Sequence, residues 1–108
     1  MASEVLSVAH SVVTDSEVVL INGVDGHTYT VLNITMCETA GNAETIDLFI
    51  QDDGGADDYE ILSDQAIGAN ETFEHTGRIV LTNEDHLTAK CASAAAVDVV
   101  VSYLDQTR

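Results

Sequence analysis

The sequence predicts a single all-β domain, an antiparallel β-sandwich of about eight strands with a jelly-roll-like character. Three observations carry that expectation. Short segments rich in Val, Ile, Thr and Tyr recur at intervals of about 8–12 residues, the cadence of a sandwich. Proline is absent, so the breaks between segments fall on Gly, Asn and Asp, which set turns by their own chemistry. No segment holds an apolar i, i+3, i+4, i+7 stripe of helical length. At 108 residues the chain supports one domain, long enough to bury a core without help from metal or disulfide.

The elements follow in order. Met1–Ser16 is an N-terminal arm or edge strand: Val5, Leu6, Val8, Val12 and Val13 among Ser, Glu4 and His10 are too apolar for an inert tail. It adds a strand to its own sandwich, reaches a neighbouring subunit and pairs there by β-addition, or stays disordered. Glu17–Arg108 is the sandwich domain, with strands expected at Glu17–Asn22, His27–Cys37, Thr45–Gln51, Tyr59–Ser63, Glu71–His75, Arg78–Thr82, His86–Cys91 and Val97–Leu104. Turn residues stand between them at Val24-Asp25-Gly26, Ala40-Gly41-Asn42, Asp52-Asp53-Gly54-Gly55, Gly68-Ala69-Asn70, Thr76-Gly77 and Asn83-Glu84-Asp85. β-branched side chains favour these segments because their restricted χ1 fits a pleated, half-buried surface.

Alternation assigns faces, since the side-chain period of a strand is two. Leu32, Ile34 and Met36 are expected inside, as are Ile46, Leu48 and Ile50, then Leu87, Ala89 and Cys91, then Val97, Val99, Val101 and Tyr103. The same phasing turns Val31, Phe49, Val100 and Leu104 outward. Together with Val5, Leu6, Val8 and Val12 of the arm they form the expected interface, provided that they cluster. Cys91 points in and Cys37 out, and the N-terminus lacks a signal peptide's basic start and apolar run, so both thiols are expected to stay reduced.

Charge excludes whole classes of partner. Nineteen Asp and Glu stand against three Lys and Arg, a net charge of −16. Arg78, Lys90 and Arg108 are too few and too scattered to neutralise phosphates, so neither nucleic acid nor an anionic membrane surface is an expected partner. Catalysis is not expected either. His10, His27, His75 and His86 form no metal-binding spacing, no G-x-S-x-G turn is present, and Trp is absent. The densest acidic stretch places Asp52, Asp53, Asp57 and Asp58 around Gly54-Gly55. Carboxylates at such a turn suit Ca²⁺, the one cofactor the sequence admits, although the spacing is not that of an EF-hand. A hairpin loop whose charges stay in water is the simpler account.

The C-terminal half carries a further signal. Tyr59-Glu60-Ile61-Leu62, Ala69-Asn70-Glu71-Thr72-Phe73, Arg78-Ile79-Val80-Leu81, Asp85-His86-Leu87-Thr88-Ala89-Lys90 and a final Val97-Asp98-Val99-Val100-Val101-Ser102-Tyr103-Leu104 succeed one another. His27-Thr28-Tyr29-Thr30-Val31-Leu32-Asn33-Ile34 precedes them. Over Asn22–Leu104 this succession resembles the small β-sandwich virion proteins of tailed bacteriophages, of the capsid decoration (cement) type. The resemblance implies a non-enzymatic structural protein on the capsid surface, bridging neighbouring subunits of the major capsid protein, with a homotrimer as the expected oligomer. A neck or tail component of the particle, or a calcium- or glycan-binding knob, is the alternative.

Overall fold

A computed structural model describes residues 3–52, 57–93 and 96–107. Those residues form nine strands: β1 (Ser3–Val13), β2 (Val18–Asn22), β3 (His27–Glu38), β4 (Glu44–Asp52), β5 (Asp57–Ile67), β6 (Thr72–His75), β7 (Ile79–Thr82), β8 (His86–Cys91) and β9 (Val97–Thr107). All strand pairings are antiparallel. The first sheet runs β1-β9-β3, and the far edge of β3 is shared by β6 along Ile34–Cys37 and by β7 along Thr28–Val31. The second sheet runs β2-β8-β4-β5. The protein is therefore the antiparallel sandwich that the spacing of its strands predicts.

Side chains from both inner faces make one core. Tyr29, Val31, Ile34, Met36, Val97, Val99 and Val101 come from β3 and β9, and Ile79 and Leu81 from β7. Opposite them lie Leu20, Ile21, Ile46, Leu48, Leu87, Ala89 and Cys91. Of the thirteen side chains expected inside, Ile34, Met36, Ile46, Leu48, Leu87, Ala89, Cys91, Val97, Val99 and Val101 are buried, and Ile50 and Tyr103 are half-buried.

The remaining one, Leu32, is not buried. The pairing of β3 with β9 shifts register between Val31 and Asn33. An extra residue in one strand of a pair reverses the alternation beyond it. Val31 thus lies in the core, fully buried, and Leu32 is turned out and 38% exposed. Period-two alternation carried unbroken through β3 gives the opposite assignment for both residues.

β1 pairs with β9 along its whole length, from Ser3 against Thr107 to Val13 against Val97. Its end is tied to the second sheet. The Cys91 amide donates to the Thr14 carbonyl at 2.8 Å, and the Cys91 thiol reaches the Val13 carbonyl at 3.7 Å. The chain then crosses over and begins β2.

Two turns are fixed by specific chemistry. The Gly23 amide donates to the Asp85 carbonyl at 3.1 Å, and a Cβ at position 23 would collide with the backbone oxygens of Asn83 and Asp85. Only glycine lets these loops meet. At the other end of the sandwich Glu38, 1% exposed, turns its carboxylate into the β3–β4 loop. Its Oε2 accepts from the Ala40 amide at 2.9 Å, and its Oε1 from Gly41 at 2.9 Å and from Asn42 and Asn70 at 3.1 Å. Gly41 supplies the positive φ of 82° that aims these amides inward.

Candidate functional site

The strand registers place the outward residues of the first sheet in rows. On β1 these are Glu4, Leu6, Val8, His10 and Val12, opposite Gln106, Leu104, Ser102, Val100 and Asp98 of β9. β9 in turn lies beside Thr30, Asn33, Thr35 and Cys37 of β3, with the everted Leu32 among them. Val80 of β7, opposite Thr30, extends the apolar row across the sheet. Leu6, Val8, Val12, Leu32, Val80 and Val100 are exposed, Leu6 to 75%, and Leu104 is half-buried.

Of the residues expected at an interface, Leu6, Val8, Val12, Val100 and Leu104 lie on this face, and three do not. Val5 sits on the inward register of β1, exposed because the sheet end has no cover there. Val31 is a core residue because of the bulge just described. Phe49 is also buried, on the other sheet, where it registers between Thr88 of β8 and Glu60 of β5. The pairing of β4 with β5 slips twice, between Ile46 and Leu48 and between Leu48 and Phe49, so alternation alone misjudges its exposure. Two members were missed, Leu32 and Val80. Only the bulge exposes Leu32, but Val80 follows simple alternation between Ile79 and Leu81, both buried.

The surface of the row has relief. Ser102, a small residue, lies between Leu6 and Val8 on one side and Leu32 on the other, leaving a shallow groove of about 400 Å³. A second hollow of about 340 Å³ lies along His10, Val12, Asp98 and Val100. Charge is sparse here: Glu4, Asp98 and Glu74 stand at the margins of the row, and His10 lies within it, opposite Val100.

The second sheet is different. Asp47, Asp58, Glu60 and Asp64 gather on β4 and β5. Partial burial raises the Glu60 carboxyl above its ordinary value, and the negative charges of Asp47, Asp58 and Asp64 raise it further. Asp47 accepts the Asp64 amide at 2.6 Å, where Asp64 takes a positive φ of 50°. Like charges crowded this way remain in water and favour the solvent side of any assembly.

The acidic turn lies at the end of the same hairpin. Asp52 pairs with Asp57 and Gln51 with Asp58, and Asp52 Oδ1 accepts the Asp57 amide at 3.1 Å. Asp53 falls outside the described residues. Asp52 is thus occupied with closing the hairpin.

Other titratable groups serve the fold. Burial would raise the Glu38 carboxyl, but the four amides on it outweigh burial and hold it below the ordinary carboxylate value. Burial pushes the Cys91 thiol up to about 11, reinforced by Glu44, Asp47 and Glu38, so it is neutral and a poor nucleophile at pH 7. Cys37 and Cys91 are both free thiols. At the far end of the first sheet His27 Nδ1 meets Asp105 Oδ1 at 2.7 Å, Tyr29 stacks on His27, and Tyr103 packs edge-on against Tyr29. The Tyr29 hydroxyl accepts the Val24 amide at 3.2 Å, and the cluster closes that end of the core.

No protein-family model and no curated protein sequence matches the chain. Solved structures share its fold at low identity. A subunit of the disulfide-linked pili that form Bacillus endospore appendages superposes with a TM-score of 0.59 at 8% identity, over 98% of this chain and 87% of that one. A chain from the acid-stable capsid of Helicobacter pylori bacteriophage KHP30 gives 0.52 at 12% identity, over 100% and 99%. The Drosophila NLP core, described for pentamer formation and histone binding, gives 0.55 at 10% identity, over 90% and 96%. At these identities the likeness establishes a shared sandwich fold.

Proposed function

We propose that this chain is a non-enzymatic structural subunit of a tailed-phage particle, a decoration protein bridging neighbouring capsid subunits. In this reading the outer face of the first sheet turns to the shell and the acidic second sheet turns to solvent. The observation that carries it is the segregation of the surface. A chain of net charge −16 keeps one sheet face nearly free of charge and lines it with Leu6, Val8, Leu32, Val80, Val100 and Leu104. Contiguous apolar surface of this kind marks a docking site, and depletion of charge at its centre is the signature of an interface core. The acidic face keeps unassembled copies apart and soluble. The fold comparisons support the reading, because a pilus subunit, a phage capsid chain and a pentamer-forming core use the same sandwich in assemblies.

Rebinding to particles stripped of the protein tests this directly. Val100→Asp puts a charge at the middle of the face, on an exposed site where folding tolerates it. The variant should melt near the parent temperature and bind stripped particles at least about tenfold more weakly, since an unpaired charge is buried on docking. Undiminished binding by Val100→Asp, with loss of binding by Asp47→Lys, would reverse the assignment of faces.

A further inference from the structure

The face just described explains the outward side chains of β1 but not its unpaired edge. Among the described residues β1 pairs with β9 alone, and its other edge is open from Ser3 to Ser11, beyond which Val13 and Thr14 are tied to Cys91. Natural edge strands discourage addition with Lys, Pro, bulges or brevity. β1 has no Lys and no Pro, runs eleven residues and pairs with β9 without a register shift. Val5, on the inward register, is also 55% exposed, so this end of the strand lacks cover on both faces.

We propose that the open edge of β1 pairs antiparallel with β1 of a second copy, about a two-fold axis at Ser7, joining two first sheets into one. The register follows from the strand itself. A two-fold axis normal to the sheet keeps outward residues beside outward residues only if each paired set of positions has an even sum. The free stretch Ser3–Ser11 has its midpoint at Ser7, where that sum is fourteen. This register sets Glu4 against His10 twice, the only two ionisable side chains of the strand. It also sets Leu6 against Val8 twice on the outer face, Val5 against Ala9 on the inner face, and Ser3 against Ser11. A carboxylate facing an imidazole N–H and apolar pairs directly across a ladder are both favourable, and the symmetry doubles each of them. A second copy is therefore the occupant that matches this edge by polar and apolar complementarity. The apolar row of one subunit continues into the next, and the pair is closed, because each copy has one such edge. This two-fold pairing is distinct from the trimer implied by the resemblance. It stands whether or not the outer face meets a capsid.

Sedimentation equilibrium of the full chain at raised salt, where the repulsion of two copies of charge −16 is screened, reads the pairing. The expected species has twice the 11.5 kDa chain mass. His10→Glu places like charges opposite each other at two positions and should weaken the dimer about tenfold or more. Adding Glu4→Lys to His10→Glu restores an attractive pair and should recover the parent affinity within about threefold. Both positions are exposed, so the fold is kept, and circular dichroism verifies it. A monomer at every salt concentration, an open-ended series of larger species, or a dimer indifferent to His10→Glu would each overturn the proposal.

Discussion

Leu48→Ala and Leu32→Ala remove the same three carbons from two sites that the structure treats very differently. Leu48 sits on the central strand β4, between Ala89 of β8 and Leu62 of β5, and is fully buried. Three carbons at about 0.8 kcal/mol each give about 2.4 kcal/mol of lost transfer free energy. The cavity raises the total to about 3–4 kcal/mol, within the range known for buried leucines. For a domain of this size each kcal/mol moves the melting temperature by roughly 4 °C, so a fall of about 12–16 °C is expected. Leu32 stands beyond the bulge on the outer face, where truncation leaves no cavity, and about 1 kcal/mol is expected there. Urea unfolding measures both, with the midpoint moving and the slope unchanged. Equal losses for the two variants would show that β3 alternates without interruption and that Leu32 belongs to the core.

Three further outcomes follow from named groups. Glu38→Gln should lower the melting temperature at pH 7. The folded Glu38 titrates below its ordinary 4.5, so its stabilisation is full above that value and lost as pH falls through the folded value; the gap between variant and parent should close under acid. Glu60→Gln should act oppositely. The folded Glu60 titrates above 4.5, so its charge destabilises at pH 7, and a small gain in melting temperature should appear there and vanish below 4.5. Gly23→Ala drives a methyl group into the Asn83 and Asp85 carbonyls and should cost about 1–3 kcal/mol in urea unfolding, whereas an unchanged midpoint would mean that these loops do not touch.

The fold was legible because its signals are local. Turn residues punctuated the chain at nearly every strand boundary, and alternation placed Val97, Val99 and Val101 inside β9 and Asp98 outside it. What alternation lacks is any mark of a bulge. Val31, Leu32 and Phe49 were misplaced because a register slip leaves composition unchanged while reversing or blurring the faces on either side. The apolar row was half legible for a related reason: which outward residues cluster depends on strand order, and the β1-β9-β3 order links the two ends of the chain to its middle. The four amides on Glu38 were invisible in the sequence, since Asn70 reaches that carboxylate from thirty-two residues away.

Subunit-resolution imaging of phage particles assembled together with this chain decides the proposed role and the assignment of faces. The sandwich is expected on the capsid surface, with Leu6, Leu32, Val100 and Leu104 against the shell and Asp47, Asp58 and Glu60 facing solvent. Density showing the acidic sheet against the shell, with the Val100 face bare, would contradict it, as would a particle that lacks the protein.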